Sequence, residues 1–339
     1  GGLIARLFSL QINDNKKYLT LSDKNRIREW KLPPTRGEIV DYFGNIIAGN
    51  LKVYQLHIIP EQVENFNYLL SRLKTLLGLT DKKIAKILKS KNQKKPWESI
   101  IVAENLSWVQ FLKINNYMHD LVGVKPVMTI SRNYPFSEIY THVLGYVSQP
   151  NENDILENET IQERFVTGMK VGKLGLEKRL ENYLIGTNDI QRYEVNAYGK
   201  RINQLEHQRG QQGSKIRLTV DTEIQKLSAK LLANKAGSIS VMDIYTGDVL
   251  AMYSSPSYDP NLFLFGISND DWQLIRNNSL KPLINKTLSG LYSPGSTIKP
   301  IVALSALENK TVNESFKVRC TGNCLLYTSD AADDSLRVD

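Results

Sequence analysis

At 339 residues the chain exceeds what one ordinary hydrophobic core serves, so two or three domains are expected. Its 41% hydrophobic and 9% aromatic content excludes a disordered chain, and two cysteines exclude a disulfide scaffold. The formal charge of +8 comes partly from one lysine-rich stretch, and no apolar run is long enough to span a bilayer.

Residues 1 to 30 mix apolar and charged side chains and are expected to be helical up to "NRIREW". The opening "GGLIARLFSLQI" reads equally as a first helix or as the segment following an anchor. Pro33, Pro34, Gly37, Gly44 and Gly49 then break the pattern, and "LKVYQLHIIP" is a strand. Residues 61 to 122 are expected to be helices, with apolar residues recurring at three and four in "NFNYLLSRLKTLLGL" and "DKKIAKILKSK". Strand and turn signals return over 123 to 150. "GLEKRLENYLIG" predicts a short amphipathic helix closed by Gly186, and "IQRYEVNAYGKRINQL" a hairpin turning near Tyr198 and Gly199.

A new unit begins near Ser214. "IRLTVDTEIQKLSAKLLANKAG" predicts a strand, a Thr or Asp cap, and a helix with Ile224, Leu227 and Leu231 on one face. "GSISVMDIYTGDVLAMYSS" reads as two strands around Tyr245-Thr246-Gly247-Asp248, and "STIKPIVALSALEN" as an apolar helix. No fixed-period repeat is present, and "YTSDAADDSLRVD" has no helical or strand period.

The chemistry concentrates in "YSPGSTIKP". A turn at Pro294-Gly295 delivers Ser296, and Lys299 follows three residues later, on the same face if Ser296 opens a helix. A serine hydroxyl needs a base before it is a useful nucleophile. The positive helix end and burial both disfavour a second positive charge there, which pushes Lys299 toward the neutral form that can take the serine proton. The Ser296 N–H at that end is a candidate oxyanion donor. Ser-x-x-Lys alone is a weak signal. A second copy, Ser71-Arg72-Leu73-Lys74, lies mid-helix where a nucleophile is not expected, and serine is an ordinary helix cap. The turn, the apolar helix that follows, and the helix and hairpin before it favour an active-site helix packed on a sheet.

With these residues in place, "SPGSTIKP" resembles the active-site motif of the penicillin-binding proteins. "LTVDTEIQKLSAKLL", "GSISVMDIYTGDVLAMYSSPSYDPNLF" and "PLINKTLSGLYSPGSTIKP" are similar, in order and spacing, to the opening of a class B transpeptidase domain. "NRIR…PPTRGEIVDYFGNIIAGN", "RNYPFSEIYTHVLGYV" and "GKLGLEKRLENYLIG" resemble motifs of its non-catalytic pedestal. The helical insert and this order look most like the elongation branch, the penicillin-binding protein 2 group, over about residues 1 to 323.

The resemblance implies an α+β fold. A juxtamembrane remnant (1–20) precedes an elongated pedestal (21–213) of the dimerisation type, with a helical head insert (about 61–142). The N-terminal part of a β-lactamase-like transpeptidase domain (214–323) and a non-native tail (324–339) follow. It implies a peptidoglycan D,D-transpeptidase acting on D-Ala-D-Ala stem peptides and acylated by β-lactams, with Ser296 as nucleophile and Lys299 as general base. No cofactor or metal is implied. The implied partners are a SEDS-type glycosyltransferase and a rod-shape scaffold protein, and the implied place is the periplasmic side of a bacterial inner membrane, held by an N-terminal anchor that this sequence lacks. Two other readings are a β-lactamase or penicillin sensor, against which the long pedestal argues, and a non-catalytic partner-binding module.

Two departures bear on this. Asp41-Tyr42-Phe43-Gly44 stands where the family usually has Asp-Arg-Asn-Gly, which puts the hydrogen bonding of that turn in doubt. The Ser-x-Asn and Lys-Thr-Gly motifs expected after the nucleophile are absent. The only Ser-x-Asn, Ser90-Lys91-Asn92, lies upstream, so a C-terminally truncated reading frame is expected.

The lysine run "DKKIAKILKSKNQKKP" has the charge to meet nucleic acid or anionic lipid. It is read as a solvated helix face with Ile84, Ile87 and Leu88 toward the core, and nucleic acid is not expected as a partner. His57, His119, His142 and His207 lack metal-ligand spacing and are read as structural, and no Ser-His-Asp triad is suggested. Cys320 and Cys324 supply too few ligands for a zinc site. Tyr258, Trp272 and Tyr292 are candidates for a substrate groove, with packing the more ordinary role for each.

Overall fold

The computed structural model describes residues 27–96, 98–166, 168–195 and 201–317. Residues 1–26 of the helix expected over 1–30, the turn at Tyr198 and Gly199, both cysteines and the tail lie outside them. The chain divides into two compact bodies, residues 1–283 and 284–339.

The first body is organised on one long strand. β1 (Ile27–Leu32) comes first, a strand where a continuing helix was expected. It pairs with β8 (Asp189–Val195), which pairs in turn with β9 (Arg201–Gln208), so "IQRYEVNAYGKRINQL" is the hairpin it was read to be. β2 (Ile39–Val40) turns back into β3 (Ile46–Ile58). Early in β3, Ala48 faces Ile39 of β2 in the pedestal. Further along, β3 lies between β4 (Ile100–Leu106) and β5 (Val124–Asn133) in the head. The ten-residue register from Gly49↔Asn133 to Ile58↔Val124 carries one sheet across both regions.

The head is therefore mixed, not all-helical. "IIVAENL", within the stretch read as helices, is β4, because its β-branched residues Ile100 and Val102 go under two helices. Those helices are Phe66–Leu77 and Asp81–Gln93. The Asn65 side chain accepts from the Tyr68 N–H at 3.0 Å and starts the first. Gly78, at φ +66°, ends it, a conformation that costs an L side chain energy. Leu69, Leu70 and Leu73 pack with Leu56, Ile58, Ile100 and Ile114, each buried leucine contributing roughly 2 kcal/mol. Ile87 is buried and Ile84 half-buried as expected, but Leu88 is 36% exposed.

A second core sits in the pedestal. Ile39, Ile47, Tyr134, Tyr140, Leu144 and Leu184 pack with Val220 and Leu264. The latter two lie beyond residue 214, so the expected boundary there is not a gap in packing. β6 (Val147–Ser148) pairs antiparallel with β7 (Val171–Gly172), and β10 (Ile216–Arg217) lies parallel to β2. The helix Thr222–Leu231 is capped by Asp221, whose Oδ1 accepts from Glu223 and Ile224 N–H groups. Its buried face is Thr222, Gln225 and Ser228, whereas Leu227 and Leu231 are exposed, the reverse of the face its apolar residues suggest. β11 (Gly237–Met242) and β12 (Val249–Ser255) form the expected hairpin, with Gly247 at φ +76° in its turn.

In the second body, a short helix, Lys286–Ser289, precedes a 3-10 turn, Gly295–Ile298, that runs into the helix Lys299–Glu308. No helix among the described residues is long and apolar enough to cross a membrane.

Candidate active site and the pedestal that carries it

Ser296 lies in the 3-10 turn. Pro294 has helical dihedrals, and Gly295, at φ +55°, makes the left-handed step that brings the chain round to the serine. The Thr297 N–H donates to the Pro294 carbonyl, and the Lys299 N–H to the Ser296 carbonyl. In such a turn residues i and i+3 eclipse, so Ser296 and Lys299 leave the backbone on one side. Pro300, early in the helix, gives up an N–H that no helical carbonyl needs. The backbone thus places the two residues as their spacing suggests.

The burial expected for this pair is not found among the described residues: Ser296 and Lys299 are both exposed. The helix after them is apolar yet uncovered, with Ile301 and Leu304 both 66% exposed. A helix apolar on all sides is a core helix by composition. Tyr292 is also exposed. Tyr258 instead packs edge-on against Phe263, and its carbonyl accepts from Thr141 Oγ1 at 2.6 Å. Trp272 lies edge-on to the same Phe263, so both of these take packing roles.

The most elaborate polar arrangement lies in the pedestal, and sequence reading did not anticipate it. "GLEKRLENYLIG" is not one amphipathic helix but two short turns of helix, Gly175–Arg179 and Glu181–Leu184, with Glu177 and Glu181 buried. Arg36 Nε donates to Glu177 Oε2 at 2.7 Å, and its two terminal nitrogens hold Glu181 at 2.8 and 2.7 Å. Arg132 Nε donates to Glu177 Oε1 at 2.6 Å and its Nη1 to the Gly37 carbonyl. Tyr134 Oη donates to the same Glu177 oxygen at 3.2 Å.

Two cations and two anions cancel in this core. Burial alone would weaken the Arg36 cation, but Glu177 and Glu181 outweigh it and hold its pKa above the ordinary value. Burial would likewise raise Glu177, and Arg36 and Arg132 instead pull it below the usual carboxylate range. Burial and the neighbouring Glu177 charge raise the Tyr134 phenol. The available sequence signal was the pair Glu177 and Glu181 at i, i+4 among leucines.

A second polar chain ties the pedestal to the chain beyond 220. Thr222 Oγ1 donates to Asp41 Oδ2 at 2.5 Å and also meets Tyr140 Oη at 2.9 Å. The Asn45 N–H and side-chain amide both donate to Asp41, so the Asp41-Tyr42-Phe43-Gly44 turn is hydrogen-bonded with tyrosine and phenylalanine at its centre. Tyr42 and Phe43 are exposed. The Asn261 side chain accepts from the Tyr134 N–H and donates to the Tyr134 carbonyl. Gln225 bridges Ile139 and Met252. Residues 134–141 are thus a platform on which 222–263 rests.

A groove of about 940 Å³ opens elsewhere in the first body, lined by Gln55, His57, Ser99, Lys125 and Lys170 among others. Burial and Lys94 push the His57 imidazole down to about 4. Lys170 stands over the Phe265 ring at 4.0 Å, and burial lowers it to about 8 against the pull of Glu104. Neither Ser296 nor Lys299 lines this groove.

The penicillin-binding protein dimerisation domain matches residues 31–218, more than half of the chain, and the penicillin-binding protein transpeptidase domain matches 237–330. The chain belongs to the penicillin-binding protein family. Peptidoglycan D,D-transpeptidase MrdA of Escherichia coli strain K12 is 40% identical over 311 residues, covering 91% of this chain and 49% of that protein. MrdA of Haemophilus influenzae is 34% identical over 333 residues, 97% of this chain and 51% of its own. The structure of a complex between penicillin-binding protein 2 and MreC from Helicobacter pylori superposes with a TM-score of 0.72 at 28% identity. It covers 86% of this chain and 54% of that one. This penicillin-binding protein spans about half the length of the curated relatives it matches. The mixed fold with a pedestal followed by transpeptidase sequence, expected from the motifs, is thereby established. The buried Arg36–Glu177–Glu181–Arg132 core lies within the dimerisation match, and the serine turn within the transpeptidase match.

Proposed function

We propose that this chain is the pedestal and nucleophile-bearing part of a peptidoglycan D,D-transpeptidase of cell elongation. The observation that carries the reading is Ser296-x-x-Lys299 at the entry to an apolar helix, inside the transpeptidase match. Ser296 Oγ attacks the carbonyl of the penultimate D-alanine of a stem peptide, and Lys299 takes its proton. The C–N bond to the terminal D-alanine breaks, and that amine leaves with a proton. An amine from a neighbouring strand then resolves the ester and restores the serine. β-Lactams acylate the same oxygen. The Ser296 N–H, at the start of the helix, donates toward the developing oxyanion.

The reading extends to domains and partners. The pedestal takes 21–213 with its head at about 61–142, and transpeptidase sequence starts at 214. The relative solved with MreC supports a rod-shape scaffold as partner, and a SEDS-type glycosyltransferase and an N-terminal anchor on the periplasmic side complete the assignment. The uncovered helix Lys299–Glu308 supports a larger domain around the serine.

Labelling with a fluorescent penicillin tests this. A protein extending to the length of the relatives is expected to be acylated at Ser296, and Ser296→Ala is not. Labelling that survives the substitution refutes the assignment. The 339-residue chain, without Lys-Thr-Gly, is expected to label little or not at all, as a partner-binding module would; brisk acylation would refute the need for that motif.

A further inference from the structure

The helix Asp81–Gln93 carries a charge pattern that acyl transfer does not use. Its core side is Ile87, buried, with Ile84 half-buried. At about 100° per residue, Lys82, Lys86 and Lys89 fall in one narrow stripe on the opposite side, and Lys83 flanks it. All four are exposed. Among the described residues none of the four makes an ion pair or a side-chain hydrogen bond. The neighbouring cations are engaged: Lys74 with Asp81, Lys91 over the Phe66 ring at 4.3 Å, and Lys94 with the Ser99 carbonyl at 2.9 Å. Asp81, the one acid on the helix, is therefore already used by Lys74.

Four like charges left side by side repel one another, and a fold that needed only solubility could intersperse acids among them. Lysine is a mobile point charge without the planar fork that recognises one anion in fixed geometry. The stripe lies along the exposed side of a helix about 20 Å long. Such a surface meets an extended negative plane better than it encloses a small ligand.

The geometry points to this helix as an electrostatic contact for a bilayer surface bearing anionic phospholipids, with the four ammonium groups among the lipid phosphates. The choice of lipid over a soluble polyanion rests on the reading of the chain as an envelope enzyme given above. Vesicle binding needs no acyl transfer, so the two can fail separately. Each lysine held at such a surface contributes about fivefold in partition, and salt screens the attraction.

The test is co-sedimentation of the full chain with phosphatidylcholine vesicles, with and without phosphatidylglycerol, at low and high salt. Binding is expected only to the anionic vesicles, falling as salt rises. The variant Lys82→Gln, Lys83→Gln, Lys86→Gln, Lys89→Gln is expected to lose about a hundredfold or more in partition. A charge-matched control, Lys230→Gln, Lys235→Gln, Lys310→Gln, Lys317→Gln, is expected to keep most of the binding. Three results would each overturn the proposal: equal binding to neutral vesicles, equal losses in the two variants, or tight binding to polyphosphate with none to vesicles. If the first variant misfolds by circular dichroism, the lipid and salt dependence of the parent decides.

Discussion

Replacing Glu177 by glutamine keeps the shape of the pedestal core and removes one charge. Glu177 is fully buried between Arg36 Nε at 2.7 Å and Arg132 Nε at 2.6 Å, and the four-residue cluster is neutral as it stands. The variant leaves Arg36 with Glu181 as its one carboxylate and takes from Arg132 the carboxylate it pairs with. With charge centres about 4 Å apart and an effective dielectric near 20, each lost contact is worth about 4 kcal/mol before solvation is counted. Part of that is offset because Glu177 no longer has to be stripped of water. The net loss is therefore about 3–5 kcal/mol, as for other buried pairs broken on one side. In a body of this size that lowers the melting temperature by roughly 10 °C.

The measurement is thermal or urea unfolding of parent and Glu177→Gln across pH. The carboxylate is held below the 4.5 ordinary for glutamate, so its contribution is fully present above pH 4.5 and is lost as pH falls through the folded-state pKa. The gap between parent and variant should be widest near neutrality and close in acid. A loss under about 1 kcal/mol at pH 7, or a gap that does not change with pH, would refute a charge-balanced core.

Thr222→Val removes the donor to Asp41 and the contact with Tyr140 while keeping the side-chain shape; it should cost about 2–3 kcal/mol in urea unfolding. Gly213→Ala places a Cβ 1.9 Å from the Leu184 carbonyl oxygen, where only backbone can yield; it should cost at least about 2 kcal/mol and reduce soluble yield. Lys170→Met removes a cation whose pKa burial depresses to about 8. The variant should be more stable by about 1–3 kcal/mol at pH 7, with the advantage fading as pH rises from 8 and gone above 10.5, where the parent lysine is neutral folded and unfolded alike.

Features that are local or motif-like are set by residues close together in the chain. The head helices, the β8–β9 and β11–β12 hairpins, the Asp221 cap and the Ser296 turn all follow from periodicity, capping residues and glycine placement within a few positions of one another. Spacing of three was enough to put Ser296 and Lys299 on one side of the chain, because backbone geometry alone sets that relation.

What depended on distant partners was not legible. "IIVAENL" became a strand because β3 supplied hydrogen bonds from some 45 residues earlier. The helix Thr222–Leu231 turned its polar side inward because Gln225 and Thr222 found partners in Met252, Ile139, Asp41 and Tyr140, a choice its own pattern could not disclose. Glu177 and Glu181 looked like surface charges until Arg36 and Arg132, 141 and 45 residues from Glu177, met them in the core. A buried charge is tolerable only beside its counter-charge, and where that counter-charge lies is decided by the tertiary fold.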